Sequence, residues 1–400
     1  MSRRAFLAGL MTLPFTFPPL ARRGGEDASA AEPIRLGFFG PLTGRFSALG
    51  AEARRGAEFA VREANDAGGV GGRAVELVMY DDRGDRKEAV SVVRKLIESN
   101  RVVALDDGSL SLTSIAAAPV VNEAQIPMVI AYANAVGAVK GHDHVFRWCS
   151  VADVQGWVMA HHAVKKMGFK TFALLVQEEE YGRGIANGAE RGIQKLGARV
   201  VYRRLFSPGE KEFRAFLTEL RPLNVDAVCT SAFSSSLTAI SRQGWDLGVF
   251  PKAQFFGSCT MTELDWFEGI GAAGDGSIGI LEFIQTAADP FTVEFVRKWE
   301  RAYGASIVSH QAGLTYDATR LLLDAMRRGG VSPDGIYRAL RETREFKNLS
   351  GVNVSFTELR EPMLPLAVGQ WDTKLRNFRL VEFVTEPVLI DPRPWYQYYK

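Results

Sequence analysis

A few side chains in this 400-residue sequence have the types that catalysis or metal binding requires. Histidines occur at His142 and His144 and as the pair His161-His162, but neither group has a third ligand at a spacing typical of a metal site, so these histidines are expected at the surface. The acidic run at residues 178–180 is typical of a solvated loop. No Gly-x-Ser-x-Gly nucleophile motif occurs. We therefore expect no enzyme, no metal and no cofactor.

The cysteines are Cys149, Cys229 and Cys259, which can form one disulfide at most and are too few for a disulfide framework. Cys259 could act as a nucleophile, but no histidine lies close to it in the sequence. A neutral buried thiol is the expected role.

One pattern indicates an anion site. An apolar strand at residues 102–105 is followed by a helix that starts at about Ser111. Either Ser111 or Thr113 can cap that helix, and the free N–H groups of a helix N-terminus bind carboxylates and other anions. A simple cap is the alternative interpretation of a lone serine at this position.

Strands and helices alternate along the chain. Residues 34–39 form an apolar run of strand length, and the next apolar residues, Ala57, Ala60, Val61 and Ala64, have helical spacing. Further strands are predicted at residues 74–80, 128–131, 172–176, 200–206, 227–231, 255–257 and 277–281. A loop is predicted at residues 177–183, and a helix is predicted at residues 290–303. This alternation predicts an α/β fold with parallel sheets, which hold ligands in the loops after their strands.

The first 30 residues resemble an export signal. Arg3-Arg4 form a twin-arginine pair, a weakly apolar run follows, and Ala28-Ser29-Ala30 offers a cleavage site. Pro14 and the pair Pro18-Pro19 interrupt the run, so cleavage is favoured over a membrane anchor. We expect a periplasmic protein without stable membrane insertion.

Composition indicates a globular chain. Hydrophobic residues make up 46% and charged residues 24%, and the formal net charge is +2. This balance gives no reason to expect nucleic acid as a partner. The length exceeds what one hydrophobic core usually serves, so two domains are expected.

Spaced motifs identify a family. The sequence resembles the type I periplasmic binding proteins, and within them the branched-chain amino-acid (Leu/Ile/Val) receptors of ABC transporters. The resemblance rests on Pro41-Leu42-Thr43-Gly44, Gly68-Gly69, Asp81-Asp82, Lys95-Leu96-Ile97, Ala118-Pro119-Val120, Ile126-Pro127, Tyr181-Gly182 and residues 314–317.

The resemblance implies two Rossmann-like lobes joined by a three-crossing hinge, with ligand in the interlobe cleft. The expected N-terminal lobe comprises residues 31–152 and 282–358, and the C-terminal lobe comprises residues 153–281 and 359–383. Residues 384–400 form a tail rich in proline and aromatic residues, which either packs over a lobe or contacts a partner. A disulfide found in many relatives is absent, because Gly84 and Leu110 stand near its positions.

The resemblance also implies a binding site. Its expected residues are Leu49, Ser111, Tyr132, Ala133, Asn134, Tyr181, Phe233 and Cys259, with Trp148 nearby. In the family the residue matching Ser111 binds the α-carboxylate of the amino acid. Tyr132 takes space from the ligand, while Asn134 could supply a hydrogen-bond donor.

Two positions depart from the family pattern. Phe233 replaces a tyrosine, and Cys259 replaces the glutamate that pairs with the α-ammonium group. A buried ammonium without a counter-charge is strongly unfavourable, so an apolar or aromatic carboxylate or an amide fits better than leucine. Asp106 or Asp107 could supply a substitute carboxylate and restore amino-acid binding.

The expected function is that of a periplasmic substrate-binding protein of an ABC importer. It would close its lobes on a small organic solute and deliver the solute to the membrane permease subunits. A monomer is expected. The alternative is a ligand-binding subunit of a periplasmic sensory system with the same fold.

Overall fold

The computed structural model describes residues 32–399, and its first sheet is built from the N-terminal part of the chain. The strand order is β2-β1-β3-β4-β5, with every neighbouring pair parallel. The elements are β1 Ile34–Gly40, α1 Ser47–Asp66, β2 Val75–Asp81, α2 Arg86–Glu98, β3 Ala104–Asp107, α3 Ser111–Glu123, β4 Met128–Ile130 and β5 Val145–Arg147.

The chain then enters a second α/β unit. Its elements are α4 Ala152–His161, β6 Thr171–Gln177, α5 Glu180–Lys195, β7 Arg199–Phe206, α6 Arg214–Leu220, β8 Ala227–Ser231, α7 Ser234–Asp246, β9 Gln254–Gly257, α8 Leu264–Gly269 and β10 Ile278–Leu281. Strands β6 to β10 pair in parallel.

The last third of the chain contributes elements to both lobes. Its elements are α9 Pro290–Tyr303, α10 His310–Gly329, α11 Pro333–Arg341, β11 Phe346–Lys347, β12 Asn353–Val354, β13 Leu366–Asp372, β14 Asn377–Val384 and α12 Pro387–Ile390. The antiparallel hairpin β13–β14 extends the second sheet, whose order is β14-β13-β10-β9-β8-β6-β7. Two lobes of parallel α/β structure confirm the predicted fold class.

Helix α10 covers the first sheet and packs closely against α1. Gly56 permits this approach, because a Cβ atom there would lie 2.2 Å from the Ala312 carbonyl oxygen. Ser309 is the N-cap residue of α10, and its side chain accepts a hydrogen bond from the Ala312 N–H at 3.2 Å. This contact fixes the N-terminus of α10 beside the first sheet.

The chain passes between the two sheets at three places: residues 148–151, 282–289 and 355–365. Glu282 Oε1 in the second crossing accepts hydrogen bonds from the Ser150 N–H and from its hydroxyl group. Arg147 and Glu361 form an ion pair of 2.8 Å, and both side chains are fully buried. Charged hydrogen bonds therefore tie the second crossing to the first, and the third crossing to the end of β5.

Several local predictions need correction or addition. The loop predicted at residues 177–183 is wrong, because α5 begins at Glu180. The Glu179 side chain caps that helix by accepting the Gly182 N–H at 3.2 Å. Helices α4 and α11 were not predicted. His162, expected at the surface, is buried, and its ring hydrogen-bonds the Glu382 carboxylate at 2.7 Å.

All three cysteines are free and buried. Gly84 and Leu110 are neighbours, since a Cβ atom on Gly84 would lie 3.4 Å from Leu110 Cδ1. In the tail, a short helical turn at Arg393–Tyr398 buries Trp395 beside Trp157 of α4. The exact limits of the two lobes stay a prediction.

The predicted twin-arginine signal lies outside the described residues. Among residues 32–399, the helices are all too short or too polar to cross a lipid bilayer.

Candidate functional site

A cavity of about 230 Å³ lies between the loops at the carboxyl ends of the two sheets. The structure brings all eight predicted residues to its wall: Leu49, Ser111, Tyr132, Ala133, Asn134, Tyr181, Phe233 and Cys259. The lining residues that sequence reasoning missed are Arg45, Phe46, Leu110, Leu112, Glu179, Pro208, Thr260, Glu263, His310 and Gln311. The volume is below the about 300–1,000 Å³ of drug-sized sites, so it suits a solute of amino-acid size.

The first lobe contributes the N-terminus of α3. Ser111 is the first residue of this helix, so the N–H groups of Ser111 and Leu112 have no acceptor within it. The Leu110 N–H is satisfied by Thr113 Oγ1 at 3.0 Å, so the Ser111 hydroxyl is not the cap. Ser111 Oγ instead accepts the Ala135 N–H at 3.3 Å and keeps its own proton for another acceptor.

Tyr132 and Asn134 make contacts that limit their roles. The Tyr132 hydroxyl donates to the Gly108 carbonyl oxygen at 2.8 Å, so the phenol ring occupies space at the wall. Asn134 Nδ2 donates to the Ser150 carbonyl oxygen at 2.7 Å and to Glu282 Oε1 at 3.1 Å. Both donors of this amide are therefore committed to the crossing segments.

Aromatic rings join the two lobes across the cavity. Phe46 lies 5.6 Å from Phe233 between ring centroids, and Phe233 stacks on Tyr181 at 6.0 Å with an interplanar angle of 20°. The Tyr181 hydroxyl donates to Ser258 Oγ at 2.7 Å, which orients its ring. This wall offers apolar and aromatic surface to a solute.

Glu263 is a carboxyl group of the cavity wall that was not predicted from the sequence. Its Oε1 accepts from Gln311 Nε2 at 2.9 Å, and its Oε2 accepts from the Ser234 N–H at 3.2 Å. Burial raises the pKa of Glu263 to about 8. At the rim, exposed Arg45 supplies a cation, and burial raises the pKa of Glu179 to about 7.

The aspartates expected to substitute for the family glutamate do not line the cavity. Asp106 is fully buried and accepts a hydrogen bond from the Thr319 hydroxyl, while Asp107 accepts the Ser109 N–H at 3.0 Å. Both are committed to packing at the end of β3. Trp148 also lies off the cavity and packs on Phe346 at 5.3 Å.

Cys259 lies at the floor of the cavity with two partners that are distant in sequence. Metal-ligating atoms of Cys259, Glu282 and His310 lie within 4.8 Å of one another. Burial lowers the pKa of His310 to about 3 and raises the pKa of Glu282 to about 7. The imidazole is therefore neutral at pH 7, which is the form that binds metal ions.

Comparison with known proteins identifies the family. The family described as periplasmic binding protein matches residues 33–376. A Leu/Ile/Val-binding protein homolog of Brucella melitensis is 31% identical over 356 residues, covering 87% of this chain and 94% of that protein.

Solved structures agree. A leucine-binding protein from Thermotoga maritima superposes with a TM-score of 0.79 at 27% identity, covering 88% of this chain and 99% of that one. A solute-binding protein of an ABC transporter from R. palustris, in complex with benzoate, has a TM-score of 0.78 at 20% identity, covering 88% and 96%. At that identity the likeness shows the fold alone. The chain belongs to the periplasmic binding protein family, with the type I fold and a resemblance to the branched-chain amino-acid receptors.

Proposed function

We propose that this protein is the solute-binding component of an ABC importer and binds a small organic carboxylate with an apolar or aromatic body. The observation that carries the proposal is the pairing of two surfaces in one cavity. The N-terminus of α3 with the Ser111 hydroxyl faces one side, and the rings of Phe46, Phe233 and Tyr181 form the other.

The physical roles follow from these surfaces. The Ser111 hydroxyl and the first N–H groups of α3 hold the carboxylate, with the helix dipole adding a favourable field. The aromatic wall removes the apolar body from water at about 25 cal/mol per Å² of buried area. Arg45 at the rim attracts anions toward the cleft.

Lobe closure couples binding to transport. Gln311 donates a hydrogen bond to Glu263 across the cleft, and the rings of Phe46 and Phe233 are in contact across it. A solute that touches both lobes adds to these contacts and so stabilises the closed form. The permease subunits recognise that closed form and receive the solute. Export of the chain to the periplasm by its twin-arginine signal completes the proposal.

An amino acid is the second candidate solute, and Glu263 favours it. This carboxyl group lines the cavity and can pair with an ammonium group, in place of the family glutamate that Cys259 replaces. The relatives named for leucine, isoleucine and valine lend it support.

A thermal-shift screen of the purified protein separates the candidates, because a ligand that binds only the folded state raises the melting temperature. The panel sets Leu, Ile and Val against benzoate-type acids, aliphatic acids and the corresponding amides. A shift with the acids alone supports the carboxylate proposal, and a shift with the amino acids alone supports the second candidate. A panel without any shift counts against both.

A further inference from the structure

Three side chains with metal-ligating atoms meet at the floor of the cavity. Cys259 follows β9, Glu282 follows β10, and His310 is the first residue of α10. None of the three is more than 2% exposed. Because α10 packs on the first sheet while β9 and β10 belong to the second, the cluster bridges the two lobes.

Two atoms of this cluster lack a hydrogen-bond partner among the residues described. Glu282 Oε1 is satisfied by Ser150 and Asn134, but Oε2 is not, and neither is His310 Nδ1. Buried polar atoms without partners are unfavourable and rare in folded proteins. An ion bound by Glu282 Oε2 and His310 Nε2 would satisfy the carboxylate oxygen, whereas Nδ1 lies on the other side of the imidazole ring.

The distances suit an ion of the zinc class. Glu282 Oε2 lies 3.4 Å from His310 Nε2, which matches the about 3.4 Å between two ligands that are each 2.0–2.1 Å from a tetrahedral zinc ion. The three donor atoms lie within 4.8 Å of one another, so binding an ion draws Cys259 and its partners slightly together. Thiolate, imidazole and carboxylate are the usual zinc ligands.

We propose that Cys259, Glu282 and His310 bind one divalent transition-metal ion of the zinc class, with an open coordination position that faces the cavity. Cys259 and His310 line the cavity, whereas Glu282 lies behind them, so the fourth position points toward the solute. Zinc sites with three protein ligands keep such a position for a further molecule. On binding, the Cys259 thiol releases its proton to solvent and the thiolate bonds to the ion, without any redox change.

The proposed ion site also affects how the solute binds, an inference that rests on the proposed function. A further oxygen atom of the solute, apart from the carboxylate held at the N-terminus of α3, would bond directly to the ion at the open position. The site could not be predicted from the sequence, because its ligands are 23 and 28 residues apart along the chain.

Cobalt titration of the whole protein tests the ion site. After removal of bound metal with a chelator, one equivalent of Co²⁺ should produce a thiolate-to-cobalt charge-transfer band, which Zn²⁺ then displaces. Cys259→Ser should abolish the band. Glu282→Gln and His310→Gln should weaken binding by at least about tenfold, since even outer-shell changes weaken metal sites by 10–100-fold.

Cys229→Ser is the matched control, because Cys229 is also a buried free thiol but lies in β8 and does not line the cavity. It should keep the band. A wild-type protein without the band, or a band that survives Cys259→Ser, would overturn the proposal. The wild-type spectrum gives this answer even where a variant fails to fold.

Solute titration of the chelator-treated and zinc-loaded forms separates this proposal from the proposed function. Tighter binding by the zinc-loaded form supports coordination of the solute, and equal binding by both forms refutes it. Solute binding without any cobalt band overturns the ion site and leaves the proposed function standing. A cobalt band without solute binding by either form supports the ion site and counts against the proposed function.

Discussion

Gln311 Nε2 donates a hydrogen bond to Glu263 Oε1 at 2.9 Å, and this contact joins the two lobes across the cavity. Gln311 lies on α10, which covers the first sheet, while Glu263 precedes α8 beside the second. It therefore ties the two lobes to each other and holds the Glu263 carboxyl group at the cavity wall.

Replacing Glu263 by glutamine distinguishes the two candidate solutes. Burial raises the pKa of Glu263 to about 8, so the group is mostly protonated at pH 7 and resembles a neutral amide. Glu263→Gln should leave the affinity for a simple carboxylate within about threefold of wild type, a difference of less than 1 kcal/mol. Calorimetry measures this affinity.

An amino acid as the true solute would give another result. Its ammonium group needs the ionised carboxylate, so Glu263→Gln should then weaken binding by about 100-fold, as expected for the loss of a buried charged partner. Gln254→Glu, on the second sheet and away from the cavity, controls for a general effect of exchanging carboxylate and amide. A large loss with Glu263→Gln would contradict the carboxylate proposal.

The buried pair Arg147–Glu361 should dominate the stability of the crossings. Both side chains are fully buried and 2.8 Å apart, so Glu361→Ala leaves an uncompensated guanidinium group in the interior. We expect the free energy of unfolding to fall by about 3–5 kcal/mol. Denaturant titration measures it.

Glu358→Ala is the control, because Glu358 lies in the same segment and its side chain is 63% exposed. Its loss should change the unfolding free energy by less than about 1 kcal/mol. Equal effects of the two substitutions would show that the ion pair does not hold the crossings.

Asp153 should make stability depend on pH. Its carboxylate is buried, accepts a hydrogen bond from the Tyr399 hydroxyl, and lies 3.5 Å from Arg191 Nη1. Burial raises its pKa from 3.8 to about 6 in spite of these contacts. A raised pKa means that the folded state binds the proton more tightly than the unfolded state.

The stabilisation that Asp153 contributes is therefore fully present below about pH 4 and is lost as the pH rises to about 6. This loss lowers the free energy of unfolding by roughly 3 kcal/mol. Asp153→Asn should remove this difference, which a comparison of unfolding free energies of variant and wild type between pH 4 and 7 detects. Asp66→Asn, at an exposed site in α1, is the control. Parallel pH profiles for wild type and Asp153→Asn would contradict the assignment.

The sequence predicted the fold well because its signal is local. Strand β8 was located at the bounds the structure has, and α9 likewise, since apolar periodicity and flanking turn residues mark both. Tyr181 was placed in a loop, because the cap supplied by the Glu179 side chain is visible only in three dimensions. The eight binding residues implied by the family resemblance all line one cavity. Their role as solute ligands stays a prediction.

What the sequence missed depends on tertiary contacts. Glu263 reaches the cavity through the turn at Cys259–Thr262, and His310 arrives from a helix of the other lobe. Asp106 and Asp107 stand at the carboxyl end of β3, where ligands bind in such sheets, and were therefore candidates for a carboxylate that pairs with an ammonium group. Their side chains are instead buried against neighbouring hydroxyl and amide groups. No pattern along the chain distinguishes a carboxyl group that lines the cavity from one that is buried behind it.

Calorimetry of the purified protein with the best acid from the screen, repeated on Ser111→Ala, tests whether the cavity binds a carboxylate through Ser111. Saturable binding of one solute per chain is expected. Ser111→Ala should weaken it about tenfold or more, because a hydrogen bond to a charged group contributes about 1.5–3 kcal/mol. Ser241→Ala, which removes a buried hydroxyl of α7 that donates to the Ala273 carbonyl oxygen at 2.8 Å, should bind as wild type. Equal affinity of Ser111→Ala and wild type, or no saturable binding of any acid, would contradict the proposal that the cavity binds a carboxylate through Ser111.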